Sequence, residues 1–278
     1  MMHGNGETLV KIRTNASHTV TEVSNIQKLI LSSRLMKKDK RVAIVQSNYI
    51  PWRGYFGLME SVDEFILFDC VQYTRRDWRN RNRIKTPQGS QWLTIPVKSK
   101  GNYFQAIKDV EVDGSSWTKN HWMSIYHNYA KAPFFKEYEQ QFEKMYSSAN
   151  FRFLSEVNYH FLRSLNELLG IKTKLTWSSN YGVIEGKTER LVDLCIKVGA
   201  TRYLSGPSAQ SYIDPKAFAD AEISLEWANY SPLPQYEQVY PPFDPFVSII
   251  DLILQKGAES KSFMKIEIEA FKTMTNTK

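Results

Sequence analysis

Short runs of consecutive apolar residues alternate along the chain with segments in which apolar residues recur at helical spacing. Two runs of four, at residues 42–45 and 65–68, are typical of strands that are buried on both faces. Residues 92–97 form a third apolar run, residues 106–112 have the pattern of a further strand, and residues 56–62 have helical spacing. The order of strand, loop and helix predicts an α/β fold in which helices flank a mixed or parallel sheet.

Three helical segments in succession, at residues 117–129, 134–145 and 151–169, predict a helical insertion in the middle of this fold. The second half returns to alternating elements. The expected order there is a strand at 175–177, a helix at 188–198, strands at 202–204 and 223–227, and a helix from residue 246.

Residues 1–40 differ in composition from the rest of the chain. They are rich in Gly, Asn, Thr and Ser at first and then show a weak helical pattern at residues 20–35. We interpret residues 1–40 as an extension that is partly disordered or helical, and residues 41–278 as an α/β domain. A division of this domain into two lobes, about 41–170 and 171–278, is the alternative to a single unit.

The net charge of +7 over 278 residues favours an anionic partner: nucleic acid, a membrane surface or a phosphorylated small molecule. Nucleic acid is disfavoured because basic residues cluster only at 37–41 and 75–85. No apolar stretch approaches the roughly eighteen residues of a membrane span, although weak attraction of residues 37–41 to an anionic membrane stays open. Cys70 and Cys195 lack metal-ligand spacing, and no signal-peptide core precedes them, so a reduced cytoplasm is expected.

The loop after the first strand combines a polar residue, aromatic residues and a Pro-Gly turn. Gln46 stands at the carboxyl end of the strand, where α/β proteins place ligands, and backbone amides at the following helix start can hold a phosphate. Aromatic rings could stack on a base or sugar, and Gly54 would let a ligand approach closely. The predicted ligand contacts of this strand-loop-helix site are Gln46, Tyr49, Pro51, Trp52, Gly54 and Tyr55. The alternative is a turn whose aromatic rings pack on the core.

The stretch at residues 73–85 carries five arginines within nine positions. If it is extended, one face carries Arg76, Trp78, Asn80 and Asn82, and the other carries Arg75, Arg79, Arg81 and Arg83. One of these faces could grip a diphosphate, because a guanidinium makes two hydrogen bonds to a phosphate. The residues predicted to bind substrate here are Arg76, Trp78, Arg81 and Asn82. The alternative is a solvated β-hairpin whose charges prevent edge pairing.

A second loop of small residues follows the strand at 202–204. Cationic side chains at the start of the preceding helix could add to an anion site, and this loop could close over the same ligand. The predicted contacts are Lys187, Arg190, Ser205, Gly206, Ser208, Tyr212 and Asp214. Tyr212 and Asp214 could as easily make a local turn.

The histidines do not form a metal site. His121 and His127 stand six residues apart on one predicted helix, a spacing that does not bring both to one ion. We predict neither a metal nor a tightly bound cofactor, and His121 is either a general base or an exposed helix residue. The motifs of serine hydrolases, P-loop enzymes, Rossmann dehydrogenases and zincins are absent, which excludes those classes.

Several segments match one known pattern, and the most specific is VQSNYIPWRGYF at residues 45–56. The others are Asp69, Gln72-Tyr73, WRNRN at 78–82, LTIPV at 93–97, GAT at 199–201, YLSG at 203–206, Tyr212, SIID at 248–251 and Gly257. In these segments the chain resembles the WbqC-like proteins. The resemblance spans roughly residues 41–257 and leaves out residues 1–40.

The resemblance implies a bacterial enzyme of surface-polysaccharide (O-antigen) biosynthesis. Such an enzyme would transfer an acyl or glycyl group to the amine of a nucleotide-linked amino sugar, with the acyl or aminoacyl donor unidentified. A diphosphate requires arginine and an amine nucleophile requires a base, so this chemistry agrees with the residues above. The candidate catalytic residues are His121 and, from the matching segments, Asp69 and Tyr73.

Two other functions stay open. The first loop, with Tyr49-x-Pro51 and Gly54-Tyr55, is similar to that of nucleotidylyltransferases and pantothenate synthetase-like ATP-dependent ligases. Those enzymes place histidines there, where this chain has Trp52, Arg53 and Tyr55. A non-catalytic nucleotide-sugar-binding or scaffold protein is the other alternative.

Overall fold

A six-stranded sheet forms the centre of the domain in the computed structural model, which describes residues 38–182, 184–231 and 233–271. The chain divides into two compact units, and the second, Asp39–Lys278, contains all the elements named below. Apart from residues 38–40, the predicted extension and its helical pattern lie outside the described residues. In chain order the strands are β1 (Arg41–Val45), β2 (Glu64–Leu67), β3 (Arg81–Thr86), β4 (Gly89–Thr94), β5 (Lys174–Trp177), β6 (Arg202–Ser205), β7 (Ser224–Asn229) and β8 (Glu267–Ala270).

The central sheet has the strand order β5-β2-β1-β6-β7-β8, and all neighbours are parallel except β7 and β8. Alternate residues of β1 point to opposite faces, so Val42 and Ile44 enter one apolar core while Ala43 enters the other. Burial on both faces explains why the apolar residues of β1 are consecutive. The mostly parallel sheet with its flanking helices confirms the predicted α/β fold.

Helices cover both faces of the sheet. The seven α-helices of the described ranges are α1 (Arg53–Glu60), α2 (Ser116–Tyr129), α3 (Phe135–Ser147), α4 (Leu154–Leu169), α5 (Glu189–Lys197), α6 (Pro215–Asp220) and α7 (Ile249–Lys256). Helices α5 and α6 cover one face through Leu191, Leu194 and Phe218, and the other five contribute to the larger core on the opposite face. Helices α2 to α4 form the predicted helical insertion, and Gly170, with a φ of +64°, ends α4. No helix in the described ranges is long and apolar enough to cross a membrane.

Strands β3 and β4 form a separate antiparallel hairpin, in which Arg81 pairs with Thr94 and Thr86 with Gly89. The β-hairpin that was the alternative interpretation of residues 73–85 is therefore present from Arg81 onward. The predicted buried strand at 92–97 is wrong, because β4 ends at Thr94 and only its Leu93 is buried. An edge hairpin with one residue facing the core does not need the apolar run of a central strand.

Two other sequence predictions differ from the structure. Residues 106–112 do not form a strand: Ile107–Asp109 is a 3₁₀-helix, whose three-residue turn brings Ile107 and Val110 to the core side. The alternation of arginine faces is wrong before Arg81, because residues 75–80 form turns and bends and Arg76 has a φ of +58°. Alternation requires extended backbone, which begins only at Arg81.

The order of the strands creates a crevice at one edge of the sheet. From β1 the chain passes through α1 to β2 on one side, whereas the later strands β6 and β7 lie on the other side of β1. The connections therefore leave β1 and β6 in opposite directions. Ligands of open α/β sheets bind at such a switch point, outside the carboxyl ends of the two strands.

Candidate functional site

A cleft of about 670 Å³ lies at this switch point. Gln46 and Asn48 line it just after β1, and Ser205 and Gly206 line it at the end of β6. The volume lies within the range of roughly 300 to 1,000 Å³ that is typical of small-molecule sites.

The loop after β1 is held from beneath by buried polar side chains. The backbone amide of Ser47 donates to Asp69 Oδ1 at 2.8 Å, and the Ser155 hydroxyl donates to Asp69 Oδ2. Asn158 Nδ2 donates to Ser47 Oγ at 2.9 Å. Burial raises the pKa of the Asp69 carboxyl, and the hydrogen bonds from Ser155 and Ser47 oppose that shift. This network fixes the path of residues 46–48 from below.

Arg79 lies across the same loop on the cleft side. Its terminal nitrogens donate to Asn48 Oδ1 and Gln46 Oε1, and its guanidinium is 3.6 Å from a carboxylate oxygen of Asp77. Asn158 Nδ2 holds the backbone of Arg79 in place by donating a hydrogen bond to its carbonyl oxygen at 2.9 Å. Burial lowers the pKa of Arg79, but a guanidinium keeps its charge in proteins. Arg79 is therefore a fixed cation on the wall of the cleft.

The second half of the chain adds two further cations. Arg190 donates through Nε to Gly186 O and lies 5.9 Å from the ring of Phe68, and Lys187 is exposed. Neither side chain forms an ion pair with a described carboxylate. No Asp, Glu or His is among the described residues that line the cleft. Three cations, of which only Arg79 has a carboxylate beside it, make the cleft attractive to an anion.

Aromatic rings form the remaining wall. The Trp52 indole lies 5.2 Å from the Tyr230 ring, and Trp78 and Tyr212 line the cleft with exposed rings. A Cβ atom on Gly54 would lie 2.4 Å from the indole of Trp52, so this glycine makes room for the ring rather than for a ligand. The cleft thus combines cations with rings on which a sugar or base can stack.

The structure brings together half of the residues that the sequence predicted for the site. The predicted residues that line the cleft are Gln46, Trp52, Tyr55, Trp78, Lys187, Arg190, Ser205, Gly206, Ser208 and Tyr212. Those that lie outside its lining are Tyr49, Pro51, Gly54, Asp69, Tyr73, Arg76, Arg81, Asn82, His121 and Asp214.

His121 and Tyr49 belong to the aromatic core. The Tyr49 hydroxyl is 2.9 Å from His121 Nδ1 and 2.9 Å from the Tyr146 hydroxyl, and all three residues are buried. Burial lowers the pKa of His121 from 6.5 to about 4, so the imidazole is neutral at neutral pH. The expectation of an exposed helix residue is wrong for His121, and the structure does not place it in the cleft.

The remaining outlying residues have structural contacts. Asn82 donates to the carbonyl oxygens of Tyr49 and Ile50 at 3.1 and 3.0 Å, and Asp214 caps α6 by accepting from the Lys216 amide at 2.9 Å. Four residues remain. Tyr73 is buried and its amide donates to Gln105 O at 2.9 Å, and the Pro51 carbonyl accepts from the Ile249 amide at 2.9 Å. Arg76 lies on the surface, and its carbonyl accepts a hydrogen bond from the Arg81 guanidinium.

Sequence reasoning missed Arg79, Asn48 and Tyr230. Arg79 and Asn48 both stand in the segments that resemble the WbqC-like proteins, so the residue types were visible but their partnership was not. Tyr230 lies outside those segments and reaches the cleft through the strand order.

Fold and cleft together define an α/β protein with a cationic cleft at the switch point of a mostly parallel sheet. The chain belongs to the WbqC-like protein family, whose model matches residues 46–263. It is 47% identical over 226 residues to "Uncharacterized protein Rv1507c" of Mycobacterium tuberculosis, which covers 81% of this chain and 98% of that protein. No solved structure was found to match this chain. Both sides of the cleft lie within the matched region.

Proposed function

We propose that the cleft binds a nucleotide-linked amino sugar and that the protein transfers an acyl or glycyl group to the sugar amine. The observation that supports this most strongly is the lining itself. Arg79, Lys187 and Arg190 supply three cations next to aromatic rings, and only Arg79 has a carboxylate nearby, that of Asp77 at 3.6 Å. A diphosphate with a sugar and a base at its ends requires both kinds of group.

The polar groups suggest how such a ligand would lie. Phosphate oxygens would accept hydrogen bonds from Arg190 and Lys187, because charge-assisted bonds to phosphate are strong and these two side chains lack carboxylate partners in the described chain. The hydroxyls of Ser205 and Ser208 lie on the same side and could bond the sugar. Stacking on Trp52 would orient the ring.

The transfer step needs little acid or base from the protein. The unprotonated amine would attack the carbonyl carbon of an activated donor, the bond to the leaving group would break, and the leaving group would take the amine proton. Burial raises the pKa of Tyr230 to about 12 and also raises that of Tyr212, so both hydroxyls stay protonated at neutral pH. They could donate a hydrogen bond to the developing oxyanion.

A non-catalytic binding protein is the second candidate. It is favoured by one observation: no carboxylate or imidazole is present in the described lining, although such groups commonly act as bases in group transfer. Both candidates predict ligand binding, and only the first predicts a product.

A thermal-shift screen followed by mass spectrometry separates these functions. The purified protein is screened against UDP-, GDP- and dTDP-linked amino sugars, free nucleotides, ATP with magnesium, acyl donors and RNA, because a ligand of the folded state raises the Tm. Stabilisation by an amino sugar nucleotide, and a mass increase of that sugar with an acyl or glycyl donor, would support transfer. Binding without product would favour the binding protein, and stabilisation by ATP with magnesium alone would favour adenylyl transfer.

A further inference from the structure

An exposed group of tryptophan and arginine side chains continues from the cleft onto the β3–β4 hairpin. This group, called the hairpin platform below, consists of Trp78, Arg81, Arg83 and Trp92. The two indole rings lie 5.4 Å apart. The Arg81 guanidinium lies 4.1 Å from the Trp92 ring centre, and that of Arg83 lies 5.9 and 5.6 Å from the two rings.

The platform lies on the surface rather than in the core. Trp78 is 38% exposed and Trp92 is 41% exposed, whereas Leu93 beside them is 2% exposed. Trp78 also lines the cleft, so the platform begins inside the cleft and extends outward over the hairpin. Large exposed aromatic rings next to a ligand site are typical of binding surfaces.

The charge of this surface is positive. Two nearby carboxylates already have partners. Asp244 lies 3.6 Å from Arg83 and also accepts a hydrogen bond from Ser90 Oγ at 2.8 Å, and Asp77 lies 3.6 Å from Arg79. Arg81 donates to the carbonyl of Arg76 and forms no ion pair with a described carboxylate. Its charge is therefore available to a ligand, and its stacking on Trp92 holds the guanidinium in place.

We propose that the hairpin platform is a second subsite, which binds the nucleotide-like part of the group donor in the reaction proposed above. A planar base can stack on an indole, and its phosphates can bond the guanidinium of Arg81. A neutral sugar would use the rings but not the cation, and an isolated phosphate would use the cation but not the rings. A nucleotide uses both, and the proximity of Trp78 to the cleft brings the donor next to the acceptor amine.

The test measures binding of two kinds of probe to matched variants by calorimetry. One probe is the amino sugar nucleotide selected by the thermal screen, and the other is coenzyme A or ADP as a stand-in for the donor. Trp92→Leu and Arg81→Gln should each weaken the binding of coenzyme A or ADP by about tenfold or more. Trp92→Leu removes a ring that stacks on the base, and Arg81→Gln removes a charged hydrogen bond to phosphate. The conservative Trp92→Phe should retain most of the binding, because a phenyl ring can also stack on a base. Unchanged affinity of Trp92→Leu for the amino sugar nucleotide would exclude a folding defect. Phe151→Leu, at another exposed aromatic residue, should leave both affinities unchanged.

Failure of this proposal can be distinguished from failure of the proposed function, on which it rests. Unchanged affinity of Trp92→Leu and Arg81→Gln for coenzyme A and ADP would overturn the proposal of a second subsite. This holds even if Arg190→Ala weakened the binding of the amino sugar nucleotide. If Arg81→Gln bound neither kind of probe, the proposal would also be overturned, because the hairpin platform and the cleft would then form one site. A platform that bound a single-stranded oligonucleotide more tightly than either small probe would be a nucleic-acid surface instead.

Discussion

Arg190 carries the cationic charge of the cleft that is easiest to test, because its side chain contributes no ion pair to the described fold. Replacing it with Ala removes a charged hydrogen bond to phosphate, so we expect the affinity for the amino sugar nucleotide to fall by roughly 1 to 3 kcal/mol. The Tm should hardly change. The matched control is Arg163→Ala, which removes an exposed arginine that pairs with Glu167 at 3.1 Å on α4. Equal Kd values for Arg190→Ala and the unaltered protein in calorimetry would contradict an anion site at this residue.

Gly54 allows the Trp52 indole to lie against the start of α1. A Cβ atom at this position would lie 2.4 Å from the ring, so Gly54→Ala should displace the indole and destabilise the fold by roughly 1 to 3 kcal/mol. The higher helix propensity of Ala would offset part of this loss. Chemical denaturation measures the effect, with Gly206→Ala as the control, since a Cβ there would meet only the Tyr230 hydroxyl at 3.7 Å. A Gly54→Ala protein as stable as the control would show that the ring is not held there.

At the residue scale, the sequence predicted the kinds of group better than the individual residues. An arginine facing the ligand was expected from the stretch at 73–85, but Arg79 rather than Arg76 or Arg81 lines the cleft. The choice depends on the turns before β3, which change the direction of each side chain in a way that alternation does not describe.

At the scale of elements, helix α4 holds the first loop through Asn158. This buried amide donates to Ser47 Oγ and to the Arg79 carbonyl, both at 2.9 Å. We expect Asn158→Ala to cost about 1 to 3 kcal/mol of stability, the usual size for leaving buried polar groups unpaired, and also to weaken ligand binding.

The control for Asn158→Ala is Asn166→Ala on the same helix. Asn166 is buried and donates to Met59 Sδ at 3.0 Å, and it does not line the cleft. Both variants should unfold at lower denaturant concentration, but only Asn158→Ala should raise the Kd for the amino sugar nucleotide. If both variants bound that ligand with unchanged affinity, the positioning role of α4 would be excluded.

Elements that bury many apolar residues were predicted well from the sequence. Strands β1 and β2 are buried on both faces, and their consecutive apolar residues identified them. Helices α2 to α4 each have one long apolar face, and apolar residues that recur at helical spacing identified them. The 3₁₀-helix at Ile107–Asp109 was missed and β4 was predicted with the wrong bounds, because each buries only a few residues and a short apolar pattern does not distinguish a strand from a turn.

At the scale of the whole molecule, Glu64 joins the start of β2 to neighbouring parts of the sheet. Its buried carboxylate accepts hydrogen bonds from Lys40 at 2.8 Å, Thr176 at 2.8 Å and Tyr181 at 2.7 Å. Burial alone would raise the pKa of this carboxyl, but the hydrogen bonds lower it from 4.5 to about 2. Because the folded pKa is lower than the unfolded pKa, the stabilisation is complete above pH 4.5 and is lost as the pH falls toward 2.

The contribution of Glu64 is at most about 3 kcal/mol, because one pKa unit corresponds to roughly 1.4 kcal/mol and solvent screening reduces the full effect. Glu64→Gln should therefore lower the free energy of unfolding at neutral pH and flatten its decrease between pH 4.5 and 2. The difference between the two proteins at each pH isolates this carboxyl from other titrating groups. Glu143→Gln, at an exposed position of α3, serves as the control. Parallel curves for Glu64→Gln and the unaltered protein would contradict the role of this carboxylate.

The strand order is the part of the fold that the sequence pattern could not determine. Two loops of small and polar residues were expected to close over one ligand, and the order β2-β1-β6 brings them to the same edge of the sheet. Nothing in the local pattern of β1 or β6 specifies which strand lies beside it, because pairing depends on contacts far apart in sequence.

The central claim is that the cleft between β1 and β6 binds a phosphorylated sugar. A crystal structure with the amino sugar nucleotide that raises the Tm most would test this claim directly. We expect the phosphates to lie within hydrogen-bond distance of Arg190 and Lys187, and a ring of the ligand to stack against Trp52. Ligand density elsewhere, for example in the shallow pocket that Asp63 and Lys172 line, would contradict the assignment of the site.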